Sequence, residues 1–209
     1  MVTAQALSPE RSEPDYAFDF CGGHLAVDFT NTVGNRGSDP EEHFTTYGDV
    51  VAWAESREVI DRAKAARLRR TVSADPDGAR REFRRAIELR EALYRVFASA
   101  ARGRKPAPPH LEALNRFVSE VYEGATLAAE GNGFALALPA GEGLDAVLYP
   151  VIKTAVDLLT TSALARIRLC ADESCAWLFV DATRSGTRRW CDMKVCGNRN
   201  KVRRFRDSP

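Results

Sequence analysis

Residues 170–206 read CADESCAWLFVDATRSGTRRWCDMKVCGNRNKVRRFR, and four cysteines divide this stretch into two short loops. Cys170 and Cys175 form one pair and Cys191 and Cys196 the other; each pair encloses four residues, and 15 residues separate the pairs. Thiolate sulfur is a soft donor suited to tetrahedral Zn²⁺, and a short loop can wrap two sulfurs around one side of an ion. The spacing therefore predicts one four-sulfur zinc site. A closed shell of this kind keeps no open coordination position, so the metal holds structure and activates no water. Two disulfides, or four unrelated thiols, are the competing accounts. No signal-peptide pattern is visible in the chain; the expected compartment is the cytoplasm, where disulfides are unusual. The paired spacing favours zinc.

Between the pairs, Trp177–Val180 reads as a strand and Ser185-Gly186 as a turn, with Arg188 and Arg189 leading back to the second pair. A basic helix is expected after Cys196. At about 100° per residue, Asn198, Val202 and Phe205 share one face, expected to pack on the hairpin. Arg199, Arg203 and Arg206 form a second stripe, with Lys201 and Arg204 on the other flank of the apolar face. Gly197 would let the backbone turn tightly against the metal, Asn198 would bond internally, and Arg199 would face outward toward a phosphate or base edge.

A basic run is commonly only a solvated tail, but the distribution of charge argues for more. From Arg166 to Pro209 there are eleven Arg and Lys against five Asp and Glu, while the rest of the chain has 19 basic and 24 acidic residues. The formal net charge of +1 conceals that split. Nine of the eleven terminal cations are arginine, the residue that makes bidentate phosphate and guanine contacts. Nucleic acid is the expected partner.

The quartet Cys196-Gly197-Asn198-Arg199, preceded by Cys170, Cys175 and Cys191, resembles the CGNR zinc-finger family. In that family the finger follows an N-terminal domain called ABATE, whose start resembles Gly22-Gly23-His24-Leu25-Ala26-Val27-Asp28-Phe29-Thr30-Asn31-Thr32-Val33. The two resemblances bracket the chain from about Phe20 to Phe205. They imply a bacterial DNA-binding transcription regulator, in some members linked to stress, and carry no substrate or reaction.

The rest of the chain is consistent with that organisation. Its 209 residues, 44% hydrophobic and 28% charged, suit one globular domain plus a zinc module. No apolar run approaches the ~20 residues needed to span a bilayer. Residues 1–15 read as a loose segment, 16–165 as a helical domain and 166–209 as the finger. Within 16–165, helical patterns cover Val50–Ala54, Asp61–Val72, a long stripe from Phe83 to Phe97, and Leu111–Tyr122. Asp75-Pro76-Asp77 is a helix-start signal. Arg80, Arg81, Arg84, Arg85 and Arg90 alternate with glutamates, as on a solvated helix face. Gly131-Asn132-Gly133 between two short runs signals a hairpin. Leu144–Leu159 is a helical pattern in which Pro150 either kinks the helix or sits at its start; its wide apolar stripe suits the domain's core helix or a dimer seam. The fold class is mostly α with a small β-hairpin (α+β), and with no Gly/Ser linker before Cys170 the finger is expected to dock on the helical domain.

His24, Asp28 and Asn31 fall at i, i+4 and i+7. They read first as groups that satisfy one another and the backbone, and second as the polar wall of an effector pocket. Cys21 reads as a buried free thiol. No nucleophile motif or paired histidines accompany these residues, so no enzyme is indicated. The leading expectation is a regulator whose Arg199, Arg203 and Arg206 enter a groove while Arg188, Arg189, Lys201 and Arg204 hold phosphates, with dimerisation or effector sensing left to the N-terminal domain. The alternatives are a zinc-stapled protein-interaction module, or an RNA binder using Trp177, Phe179 and Trp190, which are better explained as finger core.

Overall fold

In the computed structural model, which describes residues 16–138, 141 and 143–206, the chain enters through a tight turn at Cys21–Gly23 into helix α1 (Leu25–Thr30). The expected loose segment 1–15 lies outside the described residues. A two-residue ladder follows, β1 (Val33–Gly34) against β2 (Glu41–Glu42). Helix α2 (Tyr47–Ser56) starts where the Asp49 carboxylate accepts bonds from Thr45 N and Thr46 N, both at 2.7 Å. Helix α3 (Arg62–Ala74) is capped by Asp61, whose side chain accepts from Lys64 N, and α4 (Pro76–Ala101) by Asp75, which accepts from Gly78 N. These caps satisfy amides that the first helical turn leaves without partners.

Helix α4 is the axis of the domain. It packs against α1, α2, α3, α5 (Pro108–Tyr122) and the strands of the finger, burying Ala86, Leu89, Leu93, Val96 and Phe97. The hairpin β3 (Thr126–Glu130) and β4 (Gly133–Ala137) pairs antiparallel around the predicted glycine turn, with Gly131 at φ +56°. It stands away from the core, with Leu127 and Phe134 exposed. A 3₁₀ turn (Leu144–Val147) leads into α6 (Leu148–Leu159), where Pro150 occupies the first turn and no kink is needed. The apolar stripe of α6 is buried against α1 and α5, so the core is shared between α4 and α6. A second 3₁₀ turn (Ser162–Arg166) connects to β5 (Ile167–Leu169), which pairs antiparallel with β6 (Leu178–Val180). Helix α7 (Asn198–Arg206) ends the described chain.

Three expectations are corrected. Arg90 is not on a solvated face: it is 2% exposed, donates to both Glu42 carboxylate oxygens at 2.6 Å, and lies over the Phe44 ring. The glutamates that suggested a solvated face are partly its counter-charges, because a buried guanidinium persists only when paired. The finger's strand does not form a hairpin with the Arg188–Arg189 segment. It pairs with the segment before Cys170, so the hairpin encloses the first cysteine loop. Nor does the Asn198/Val202/Phe205 face pack on that hairpin: no α7 residue is buried, and Val202 and Phe205 are 51% and 85% exposed.

Candidate metal centre and basic helix

Each cysteine loop is shaped by an aspartate one or two residues after its first cysteine. In the first loop, Asp172 Oδ1 accepts from Ser174 N (3.2 Å) and Ser174 Oγ (2.8 Å), and Cys175 N donates to Asp172 O. Ala176 takes the left-handed region at φ +52°, and Cys170 N closes the loop on Trp177 O at 2.7 Å. In the second loop, Asp192 accepts from Val195 N at 2.8 Å and starts a single π-helical turn, Met193–Gly197. At Gly197 a Cβ would sit 2.5 Å from Met193 Sδ; the close neighbour is the flexible, half-exposed Met193 side chain rather than the metal position. Asn198 Nδ2 donates to Lys194 O at 2.9 Å, the internal bond expected of it.

These turns bring the four sulfurs of Cys170, Cys175, Cys191 and Cys196 within 4.8 Å of one another. Cys191 Sγ lies 3.6 Å from Cys175 Sγ and 3.7 Å from Cys196 Sγ. A tetrahedron with Zn–S bonds of about 2.3 Å has edges of roughly 3.8 Å, so the donor set fits zinc. All four cysteines are buried, Cys191 being 2% exposed. Hydrogen bonds from Cys175 and Cys191 pull the Cys170 thiol well below the ordinary range. The centre is a structural zinc site with every coordination position supplied by sulfur. It fixes the start of α7.

The finger is docked through specific bonds. Asn31 Nδ2 donates to Leu178 O (2.8 Å), and Leu178 N donates to Asn31 Oδ1 (3.1 Å). Trp177 Nε1 donates to Val33 O at 2.6 Å, Tyr94 OH to Ala176 O at 2.9 Å, and Val180 N to Gly22 O at 2.9 Å. At Gly37, a Cβ would overlap the Glu173 carbonyl oxygen at 1.6 Å. Gly22, Asn31 and Val33 lie in the stretch that the sequence marks, but nothing in its spacing points to the finger. The unbroken connection before Cys170 hinted at the docking, and Trp177 and Phe179 are buried beside the four cysteines, consistent with their reading as finger core.

Asp28 and Asn31 come together beside Gly22, where a Cβ would sit 2.6 Å from Asp28 Oδ1 and 3.0 Å from Asn31 Nδ2. Asn31 is committed to the finger, and Asp28 accepts from Gly22 N (2.9 Å) and Arg57 Nε (3.0 Å). Burial pushes the Asp28 carboxyl up to about 6, against the opposing pull of Arg57. Burial also lowers the half-buried His24 imidazole, whose Nδ1 has no hydrogen-bond partner. A cleft of about 190 Å³ lies elsewhere, between Tyr16, His43 and Glu41 on one side and Trp177, Val195 and Arg199 on the other. Cys21 is likewise not a fully buried thiol. It is partly exposed and packs against the four-cysteine cluster.

The predicted nucleic-acid residues divide into two groups. Arg188 is structural: its Nε donates to Trp190 O (2.9 Å), its Nη2 to Cys21 O (3.1 Å) and to Cys191 O, and its guanidinium covers the Phe179 ring. Arg199 turns back to the first cysteine loop, 3.4 Å from the fully buried Asp172 carboxylate and 3.0 Å from Ser174 Oγ. Asp172 draws it inward because a buried carboxylate needs a cation. Arg189 is exposed with its guanidinium over Trp190. Lys201, Arg203, Arg204 and Arg206 are all exposed on α7.

A helical domain carrying a docked four-sulfur zinc finger defines a zinc-binding protein of the α+β class. The family model described as "Putative stress-induced transcription regulator" (ABATE) matches residues 23–162, and the CGNR zinc finger model matches 166–208. The chain belongs to the ABATE family and carries a CGNR zinc finger. Comparison with curated proteins finds no match. No helix among the described residues is long and apolar enough to cross a membrane.

Proposed function

We propose that the protein is a DNA-binding transcription regulator that presents α7 to the double helix. One observation carries this reading: from Lys201 to Arg206 every residue of α7 is exposed, and that solvated turn and a half contains four cations and no acid. The zinc centre anchors the start of the helix, so its cations project from a fixed point. Arg203 and Arg206 suit groove contacts, and Arg189, Lys201 and Arg204 suit phosphates. Arg188 and Arg199 support the finger instead of the duplex. Val202 and Phe205 present apolar surface beside the cations, which a helix in a major groove uses against thymine methyl groups. The family's description as regulators agrees with this reading.

The test is selection of bound genomic fragments by the full chain, with RNA as competitor. Changing Lys201, Arg203 and Arg206 together to Gln should abolish retention while zinc content and melting stay unchanged. With about five phosphates neutralised, log affinity should fall against log salt with a slope of roughly −4 to −5. A second reading is favoured by Phe205, exposed on a basic helix: an acidic, partly apolar protein surface could cover α7. Retention of DNA unchanged by the triple substitution would leave that reading in place of the first.

A further inference from the structure

We infer that Cys21 is an oxidation site which, under peroxide, forms a disulfide with Cys191 and opens the zinc centre. The observation is a five-sulfur cluster drawn from two ends of the chain. Cys21, from the turn before α1, packs against the four buried cysteines and Trp190. Among the four, Cys191 is tied to it through the backbone. The Arg188 guanidinium bridges the two residues, donating from the same nitrogen to the carbonyl oxygens of Cys21 and Cys191.

Access distinguishes the partners. Cys21 is partly exposed, whereas Cys170, Cys175, Cys191 and Cys196 are all buried at 6% exposure or less. An oxidant from solvent therefore meets the sulfur that the zinc shell does not need. Sulfur oxidation follows exposure, and a sensing cysteine requires a second sulfur within reach to resolve it. Asp19 Oδ1 accepts from Cys21 N at 3.0 Å, and Val180 N donates to the carbonyl of the adjacent Gly22. The backbone carrying Cys21 is thus held against the finger.

The chemistry balances with hydrogen peroxide as oxidant. The Cys21 thiolate attacks one peroxide oxygen; the S–O bond forms, the O–O bond breaks, and hydroxide leaves. The Cys191 sulfur then attacks the Cys21 sulfenic acid; the S–S bond forms and the S–O bond breaks with loss of the second hydroxide. Two thiolates lose two electrons, and one peroxide is reduced to two hydroxides, which take two protons from solvent to become water. Three sulfurs then remain for the metal. Cys191 also stands directly before Asp192, which starts the turn leading to α7, so the step would loosen the aim of the basic helix.

Zinc-loaded full-length protein is treated with one equivalent of hydrogen peroxide. Zinc release is followed with a chromogenic chelator, and disulfides are mapped in unreduced peptides. The expected result is zinc release together with a Cys21–Cys191 cross-linked peptide, both reversed by thiol and added zinc. Cys21→Ser and Cys21→Ala should hold zinc normally when reduced and release it at least about tenfold more slowly, since the sulfenic acid cannot form at an exposed sulfur. Equal release rates in the variants, or disulfides only among the four ligands, would overturn the proposal. So would failure of both reduced variants to hold zinc, which would make Cys21 part of the metal shell.

Discussion

Asn31 and Leu178 exchange two hydrogen bonds across the junction between the helical domain and the finger, one in each direction. Both residues are buried, so the amide reproduces, with a side chain, the pairing that an additional strand would offer. This is the relation that makes the zinc finger part of the domain's fold. Asn31→Ala would leave a buried N–H and a buried C=O of Leu178 unpaired, which costs roughly 2 to 4 kcal/mol. The expected outcome is a lower urea midpoint and faster amide exchange at Leu178 and Val180, with zinc retained. Unchanged exchange at those amides would show that the finger is held mainly by its other bonds.

Removing the metal should have a larger but more local effect. Structural zinc supplies about 10–16 kcal/mol in small zinc-finger peptides. A strong chelator should therefore melt the finger and the β5–β6 pair. Helices α2 to α6 have their own core of Trp53, Leu93, Phe97 and Ile152 and should persist. Trp177 donates to Val33 O and is 8% exposed; its fluorescence should shift to the red on chelation while far-UV circular dichroism keeps most of its helical signal. A full loss of helix would mean that the finger nucleates the whole fold.

These contacts also indicate what was readable in advance. Cysteine spacing revealed the metal centre, because ligand geometry depends on short local loops. Apolar periodicity revealed α2 to α6, and the signals at Asp75-Pro76 and Gly131-Asn132-Gly133 stand where expected. The docking was hidden: spacing marks Asn31, but its partner Leu178 is 147 residues away, and nothing local marks Gly37, which lies against Glu173. Arg90 was misread for the same reason: its counter-charge Glu42 is 48 positions upstream. Helix α7 shows the converse failure. Its wheel has an apolar face, yet a nine-residue helix anchored at its start can keep such a face in solvent.

Arg199 and its helical neighbours should separate in function. Arg199 pairs with Asp172, which is fully buried, although the arginine is itself half exposed. Arg199→Gln should lower the finger's zinc affinity in chelator competition by a few-fold, on the order of 1 kcal/mol after solvent screening. Arg203→Gln and Arg206→Gln should leave zinc affinity unchanged. Equal zinc affinity in all three variants would return Arg199 to the outward-facing role that its place in the motif first suggested.

Asp28 offers a pH test with a definite sign. Its carboxyl is raised by burial from an ordinary 3.8 to about 6 in the folded protein. Between those values the folded state holds the proton more firmly than the unfolded chain, so this group's contribution to stability falls as pH rises through the window. Above about pH 6 the full cost of a buried carboxylate is present, roughly 3 kcal/mol for a shift of about two units. Asp28→Asn keeps an acceptor for Gly22 N and removes the titration. The stability difference, variant minus parent, should therefore rise in favour of Asn from pH 4.5 to pH 7. Zinc binding is also pH-dependent, but it is common to both proteins and drops out of the difference. Urea unfolding in excess zinc across that range provides the measurement. A flat difference would mean that the Arg57 ion pair outweighs burial and holds Asp28 ionised throughout.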